Sequence, residues 1–320
     1  MKIFFLTLLS LLYLSAWAQA PKIEIIDNSN SGLPENSLNH IIIDQHGNKW
    51  IGTSHSGLIK YNATGFTVYS ISNSPLSGKY DEPVYADKNG DIWITEDDKL
   101  IKYDGSKWAV YDVKTYSGLS KPVYAASEDA NGKMFFGTSD GIITFDGTTW
   151  GEVELPGGSI YNYHILSMAV GPNGRMAAGC DTQLLLFDGK EWKKLTEDNS
   201  ELQLGTVRAV KFTDNGELNI GYGGGLGKGG FSVVKDGKWK HYNKYNSGLP
   251  DQMVREIEVS GGDKVKWMAT NDGLARMEDN KIEAMKFWPG RYHNVIMGIA
   301  VENDNTIWIT TTTGLVKLTY

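Results

Sequence analysis

The chain has 320 residues, of which 41% are hydrophobic and 22% are charged, and its formal net charge at pH 7 is −7. This acidic balance argues against a nucleic-acid binder, which would carry a basic patch. Cys180 is the single cysteine, so an intramolecular disulfide is excluded and a small buried thiol is the expected role.

The first residues have the pattern of a secretory signal peptide. Lys2 precedes an apolar run that ends at Leu14, and an A-x-A cleavage motif ends at Ala18. The apolar run is too short for a comfortable membrane span. We therefore expect residues 1–18 to be removed and residues 19–320 to be exported, to the periplasm or outside the cell. No later segment predicts a membrane span.

Imperfect copies of one segment recur through the mature chain. The first copy, WIGTSHSGLIKY, begins at Trp50, and later copies begin at positions 93, 135, 177, 219, 267 and 308. The steps between copies are therefore 43, 42, 42, 42, 48 and 41 residues. A period of roughly 40–50 residues is typical of propeller blades. Seven blades are predicted.

Each copy lies between two turn signals. A turn such as DQHGN at Asp44 precedes the copy, and a turn such as YDGSKW at Tyr103 follows it. Asn-Gly and Asp-Gly between apolar runs indicate hairpins. Further apolar runs flank the turns, so each unit predicts four short antiparallel strands, named A to D in chain order. No window has a helical period, and no helix is expected in the mature chain.

The residue at the head of strand B is predicted to pack between blades, because large aromatic side chains dominate core burial. Five copies have an aromatic residue there: Trp50, Trp93, Phe135, Trp267 and Trp308. Blades 4 and 5 have Ala177 and Asn219 instead. The packing of these two blades should therefore differ from that of the others.

The two ends of the mature chain complement each other. The last copy stops at Tyr320, after its strand C, and a strand-like run, PKIEIID, begins at Pro21. We expect Lys22–Ile26 to supply the fourth strand of the last blade, which closes the ring and pairs an open edge. The predicted fold is all-β: one domain over residues 19–320, a seven-bladed propeller of four-stranded antiparallel blades.

The connections between blades complete the repeat. They read NSGLPENSL at Asn30 and NSGLPDQMV at Asn246. The composite pattern, NSGLPxNxVxxIxxDxxGxxWIGTxxGLxKYDG, resembles the two-component regulator propeller repeat. That repeat is abundant in the periplasmic sensor regions of bacterial hybrid histidine kinases, particularly those that respond to polysaccharides. The resemblance implies a sensor-type propeller, here expected as a stand-alone exported protein. The motif is a structural signature, so it implies no functional residues.

Catalytic and metal-binding signatures are weak in this sequence. The histidines have no HExxH spacing, although a ring can bring His40, His164 and His293 towards one axis, which leaves a channel metal open. Turns such as Asp87–Asp91 lack the remainder of a calcium loop. The glycine-rich segment Gly221–Phe231 is followed by a strand rather than a helix, so it predicts an enlarged flexible B–C loop rather than a phosphate cradle. No cofactor and no metal are expected.

The leading functional prediction is a non-enzymatic binding or scaffolding propeller, monomeric, whose partner is a glycan or an envelope protein. Two alternatives stay open. One is a hydrolase or lyase with an active site on the channel axis. The other is an envelope-assembly factor that acts through a rim.

The partner is predicted to bind at the channel mouth, where the D–A connections and the starts of strand A converge. Tyrosine and arginine combine large contact area with directional donors, whereas the opposite rim has mainly turn residues. The candidate residues are Tyr80, Glu82, Tyr124, Tyr161, Tyr163, His164, Arg208, Arg255, Tyr292 and His293. Alanine at Tyr163, Arg208 and Tyr292 is predicted to abolish binding and to leave thermal stability nearly intact.

Overall fold

The protein folds into seven four-stranded antiparallel sheets arranged as blades around a central channel. The computed structural model describes residues 20–78, 82–96, 99–112, 122–157, 163–225, 228–290 and 294–320. Within these ranges the helical residues are one 3₁₀ turn, Pro172–Gly174, and the single 3₁₀ residue Asn294. The all-β, seven-bladed prediction is confirmed. The predicted signal peptide lies outside the described residues.

Each blade contributes its strands A to D from the channel outward. Strand β1, which joins the last blade, is Lys22–Ile26. Blade 1 is β2 to β5, at Leu38–Ile43, Lys49–Thr53, Leu58–Asn62 and Gly65–Tyr69. Blade 2 is β6 to β9, at Glu82–Ala86, Ile92–Glu96, Lys99–Tyr103 and Trp108–Asp112. Blade 3 is β10 to β13, at Val123–Glu128, Met134–Thr138, Gly141–Phe145 and Trp150–Glu152.

Blade 4 is β14 to β17, at Ser167–Val170, Met176–Gly179, Leu184–Phe187 and Trp192–Leu195. Blade 5 is β18 to β21, at Thr206–Phe212, Leu218–Gly225, Lys228–Lys235 and Lys238–Tyr242. Blade 6 is β22 to β25, at Val254–Ser260, Val265–Thr270, Gly273–Glu278 and Lys281–Met285. Blade 7 is β26 to β28, at Ile296–Asn303, Thr306–Thr311 and Gly314–Thr319, followed outward by β1.

The N-terminal strand closes the ring, as the sequence predicts. β1 pairs antiparallel with β28 from Lys22 opposite Thr319 to Ile26 opposite Leu315. Ile26 is buried in the core that Trp308 and Leu315 share. The last blade therefore combines the two ends of the described chain in one sheet.

The residues at the head of strand B form the core between blades. Trp50, Trp93 and Trp267 are among the largest fully buried side chains. Where blade 4 has Ala177, the space is filled from blade 5 by Phe212 and Tyr222. The guanidinium of Arg175 lies 5.0 Å from the Phe212 ring centroid. The different packing expected for these two blades is confirmed.

The turn before strand B is held by an aspartate that also fixes the tryptophan. Asp44 Oδ1 accepts hydrogen bonds from the backbone N–H groups of His46 and Asn48, at 2.9 and 3.0 Å. Its Oδ2 accepts the indole N–H of Trp50 at 2.9 Å. Asp87 holds Trp93 in the same way in blade 2. The D-x-x-G-x-x-W spacing thus encodes one hydrogen-bonded unit.

We expect the contribution of Asp44 to stability to disappear in acid. Burial raises the pKa of Asp44, but hydrogen bonds from Trp50, Asn48 and His46 outweigh this effect and hold the pKa below its ordinary value. A carboxyl with a lowered folded-state pKa stabilises the fold fully above its unfolded pKa and progressively less as the pH falls through the folded value. Urea unfolding of wild type and Asp44→Asn at pH 7 should differ by about 1–3 kcal/mol. The gap should narrow below pH of about 4, and a gap that is constant with pH would contradict this account.

Candidate functional site

The innermost strands of all seven blades line a channel along the propeller axis. These strands are β2, β6, β10, β14, β18, β22 and β26, and they enclose a cavity of about 680 Å³. Clefts of roughly 300–1,000 Å³ are the usual size of small-ligand sites. The channel is therefore the natural place to look for function.

A β-bulge recurs in strand A. In β10, β18, β22 and β26 one extra residue separates two consecutive pairs with strand B. A bulged residue leaves the regular alternation of the strand, and its side chain is re-aimed. The extra residues are Tyr124, Arg208, Arg255 and Met297, and all four line the channel.

The structure places six of the ten predicted site residues. Four line the channel: Glu82, Tyr124, Arg208 and Arg255. His164 stands beside Tyr124, with 4.8 Å between the two ring centroids. We call these five residues the mouth. The sixth, Tyr163, is buried. Four predicted residues, Tyr80, Tyr161, Tyr292 and His293, lie outside the described residues.

Tyr163 belongs to the core between blades rather than to the mouth. Its side chain is 1% exposed and packs with Leu155 and Ile165. Its hydroxyl donates a hydrogen bond to the carbonyl of Pro156. The next residue, His164, instead approaches Asp181. The prediction that Tyr163 contacts a ligand and can be removed without loss of stability is therefore corrected.

The two arginines of the mouth occupy equivalent bulges in adjacent blades. Arg255 donates from Nε and Nη2 to Oδ1 of Asn271, at 3.0 and 2.8 Å. Burial lowers the pKa of Arg255, the nearby charge of Arg208 lowers it further, and Asp251 partly offsets both. Two positive groups therefore share one partly desolvated region.

The guanidinium of Arg208 has no hydrogen bond or ion pair with any residue that the structure describes. Its side chain crosses over Gly223, where an added Cβ would lie 3.3 Å from Arg208 Cγ and Nε. Because Gly223 has no side chain, there is room for Arg208 over it. Position 223 also offers no side-chain group that could pair with the Arg208 cation.

Blades 4, 5 and 6 each place a second residue at the mouth from the end of strand B, four positions after the strand head. In blade 4 this residue is Asp181, whose Oδ2 lies 3.2 Å from His164 Nδ1. In blade 6 it is Asn271, and in blade 5 it is Gly223. These positions are not among the site residues predicted from the sequence. Aligning the seven copies would have found them, because this column varies while the column before it is threonine in four copies.

Below the mouth one carboxylate connects three blades. Glu256 of blade 6 lies 2.9 Å from Nε2 of His40 in blade 1. Its other oxygen accepts the backbone N–H of Ile299 in blade 7 at 2.8 Å. His40 also acts on Glu82 of the mouth: burial raises the pKa of Glu82, and His40 partly offsets this effect. No single motif marks Glu256, because its partner His40 is 216 residues away in the chain.

Gly298 allows blades 7 and 1 to approach each other closely. A Cβ at position 298 would lie 3.0 Å from the backbone nitrogen of Ile41 and 3.2 Å from Cα of His40. Main-chain atoms cannot rotate away. Any side chain there must therefore push blades 7 and 1 apart.

We expect Gly298→Ala to lower the free energy of unfolding by about 1–3 kcal/mol, the usual cost of overpacking. Gly151→Ala is the matched control, because its one close neighbour is the Thr144 hydroxyl at 3.1 Å and β13 is an outer strand. Urea unfolding compares the two. Equal losses of stability in the two variants would show that the contact between blades 7 and 1 at Gly298 is not tight.

At the far end of the channel a lysine forms an ion pair with a carboxylate of the protein. Lys211 Nζ lies 2.8 Å from a carboxylate oxygen of Glu258. Tyr85 lines the same region, and burial together with Glu128 raises the pKa of its phenol. Among the described residues no group of three or more histidine, cysteine, aspartate or glutamate side chains could hold a metal ion.

Two further residue predictions have clear outcomes. Cys180 is 1% exposed, and burial raises the pKa of its thiol to about 12, so it is the expected buried, unreactive thiol. The glycine-rich segment is not the predicted flexible loop over most of its length, because β19 and β20 extend as paired strands to Gly225 and from Lys228. No described helix has the length and apolarity to cross a bilayer.

Comparison with known proteins gives structural neighbours only. No protein-family model matches the sequence, and no curated protein matches it. A catalytically inactive virginiamycin B lyase variant from Staphylococcus aureus, crystallised with quinupristin, superposes with a TM-score of 0.75 at 17% identity. That match covers 94% of this chain and 99% of the lyase.

Two other neighbours are parts of larger surface proteins. The extracellular domain of the hybrid two-component system BT3049 from B. thetaiotaomicron has a TM-score of 0.73 at 20% identity, covering 92% of this chain and 41% of that one. PorZ, a surface component of the type-IX secretion system of Porphyromonas gingivalis, has a TM-score of 0.68 at 16% identity, covering 89% and 46%. At these identities the likeness shows the fold alone. The resemblance to two-component sensor propellers is thereby supported at the level of structure.

Proposed function

We propose that this protein is an exported binding or scaffolding propeller that captures its ligand at the mouth. The observation that carries this proposal is the guanidinium of Arg208, which has no partner among the described residues. It is held over Gly223 beside Arg255 at the entrance of a channel of about 680 Å³. A cation beside another cation without an internal counter-ion is unfavourable. A ligand with complementary charge or hydrogen-bond acceptors would relieve this cost.

The composition of the mouth also fits recognition. Tyrosine and arginine are the residues that most often dominate binding energies. Tyr124 is 41% exposed, so its ring is available for contact. The neighbours from two-component systems and PorZ are extracellular domains or surface components, which supports a role of the same kind here. A glycan or an envelope protein is the partner we propose.

The test compares wild type with Arg208→Ala on a glycan array and in crosslinking to native envelope extract. Lys238→Ala is the matched control, because Lys238 is an exposed cation at the opposite rim. We expect the bound glycan or crosslinked protein to be lost with Arg208→Ala and kept with Lys238→Ala. A partner that is lost only with Lys238→Ala would favour an assembly factor acting through the other rim. It would also refute the mouth as the binding site.

A second candidate function, an axial lyase or hydrolase, is favoured by one observation. His40 is held by Glu256, and Glu82, with a raised pKa, lines the same channel. A carboxylate-oriented imidazole can act as a general base, and a carboxyl with a raised pKa can act as a general acid. The virginiamycin B lyase neighbour makes quinupristin a reasonable probe.

Chromatography of quinupristin incubated with the protein separates the two functions. A binding protein leaves the retention time unchanged. Conversion by wild type that disappears in both His40→Ala and Glu82→Gln would establish the enzyme and overturn the binding proposal. Conversion that persists in both variants would point to a contaminant.

We also propose export of a monomer after cleavage behind Ala18. Mass spectrometry of protein recovered from the native envelope should find Gln19 as the first residue. An N-terminus at Met1 would contradict export through this signal.

A further inference from the structure

We infer that the ligand of the mouth carries a carboxylate, and that the guanidiniums of Arg208 and Arg255 bind this group together. The inference rests on the binding function proposed above and adds the chemical class of the ligand. It follows from the register of two blades, from the charges around the mouth and from Gly223, which has no side chain at the end of strand B in blade 5.

The register brings the two arginines to the same level. Arg208 is the residue between the pairs Val207–Tyr222 and Ala209–Gly221, and Arg255 stands between Val254–Thr270 and Glu256–Ala269. Blades 5 and 6 are in close contact at this level, because a Cβ on Gly221 would lie 2.7 Å from Val254 Cγ1. The two bulges therefore present their side chains to one shared part of the mouth.

Several other cations in partly or fully buried positions have an internal carboxylate. Lys102 pairs with Asp91 at 2.6 Å, and Lys266 pairs with Glu217 at 2.9 Å. Arg255 instead uses two of its nitrogens on a neutral amide, that of Asn271. Arg208 has no carboxylate partner among the described residues. The two arginines of the mouth thus have no carboxylate ion pair among the described residues.

The surrounding charges favour a single carboxylate over a dianion. Glu82 and Asp181 stand at the mouth, and Asp251 acts on Arg255. A phosphate dianion would meet more repulsion from these groups than a carboxylate, which carries one charge and accepts two parallel hydrogen bonds from a guanidinium. A carboxylate is therefore the anion that suits two arginines in this acidic setting.

A separate part of the protein surface can contact the rest of the ligand. The Tyr124 ring meets the His164 ring edge to face at 4.8 Å. Tyr124 is 41% exposed, so its ring is open to a ligand. An exposed aromatic face suits a ring or a peptide unit. A uronic acid and a peptide C-terminus both combine such a unit with a carboxylate.

Gly223 allows a test that leaves both arginines in place. Position 223 corresponds to Asp181 and Asn271 in the neighbouring blades, and its φ is not in the left-handed region. Gly223→Asp should supply an internal carboxylate to Arg208 and compete with the ligand. Gly223→Asn has the same size without the charge, so the difference between the two variants isolates the anion.

The experiment follows the arginine Nε–H signals by NMR while the protein is titrated with sodium acetate, galacturonate, N-acetylalanine and inorganic phosphate. At least one carboxylate probe should bind with a dissociation constant below about 100 mM. Binding should weaken roughly 10- to 100-fold in Arg208→Ala and in Gly223→Asp, as expected for loss of a charge-assisted hydrogen bond, and less in Gly223→Asn. Tighter binding of galacturonate assigns a uronic acid, and tighter binding of N-acetylalanine assigns a peptide C-terminus.

Three outcomes would overturn the carboxylate assignment: no signal shift with any carboxylate probe, tighter binding of phosphate than of acetate, or equal binding by Gly223→Asp and Gly223→Asn. Circular dichroism of each variant confirms that the fold is kept. The proposed function fails separately, because it requires that Arg208→Ala lose the array or envelope partner. That result does not depend on which anion binds.

Discussion

Deletion of residues 21–27 is expected to unfold the ring or to lower its melting temperature severely. β1 is the outermost strand of the last blade and pairs with β28 over five residues. Without it β28 becomes an open edge, and the buried side chains of Leu315 and Val316 lose cover. Folded domains are stable by only about 5–15 kcal/mol. The removal of a whole strand from the blade that joins the two ends is therefore a large fraction of the total.

Two single substitutions in β1 show how much of the effect of the deletion comes from lost side-chain packing. Ile26 is 5% exposed and packs with Trp308, so Ile26→Ala should cost about 2–5 kcal/mol. Ile23, in the same strand, is 47% exposed, and Ile23→Ala should change stability by about 0.5 kcal/mol or less. Thermal unfolding followed by circular dichroism compares the three variants. A truncated protein that melts like the full chain would refute closure by β1.

The fold could be predicted because the hydrogen bonds that shape a blade join residues close together in the sequence. Asp44 and Trp50 recur at fixed spacing, and the structure shows why: one carboxylate closes the turn and holds the indole. Such a unit is local, so its sequence signal is local too. Closure by Lys22–Ile26 was also predictable, because a four-stranded repeat leaves one strand missing at the end.

The site could be predicted only in outline. The sequence predicts the binding site at the starts of strand A, and Arg208, Arg255 and Tyr124 line the channel. Their positions there depend on bulges, which change the direction of a side chain by one residue of register. A bulge has no reliable sequence signal in this repeat. Tyr163 and His164 precede β14 and lie outside any strand, so no strand alternation indicates which of the two side chains is buried.

Contacts between distant blades could not be predicted from the sequence, for a different reason. Glu256 of blade 6 pairs with His40 of blade 1, 216 residues away in the chain. The repeat pattern describes one blade at a time, and it carries no information about which blades exchange side chains across the channel. The same limitation hid the role of Gly223, which is ordinary in its own strand. It matters only because Arg208 lies over it.

Tyr163→Ala is expected to lower the free energy of unfolding by about 3–5 kcal/mol, the range for removal of a buried aromatic side chain. The ring is 1% exposed among Leu155, Ile165 and Met168, and the Pro156 carbonyl would lose its hydrogen-bond donor. Tyr163→Phe removes only that donor and should cost about 1 kcal/mol.

Tyr124→Ala is the matched control for this prediction, since Tyr124 is 41% exposed at the mouth and its ring contacts His164. Loss of that ring contact should cost at most about 1.5 kcal/mol. Urea unfolding of the three variants should therefore rank Tyr163→Ala as the least stable by a clear margin, while Tyr124→Ala weakens ligand capture in a protein that remains folded. If Tyr163→Ala were as stable as Tyr124→Ala, the Tyr163 ring would face the channel instead of the core. The site would then have to be redrawn around it.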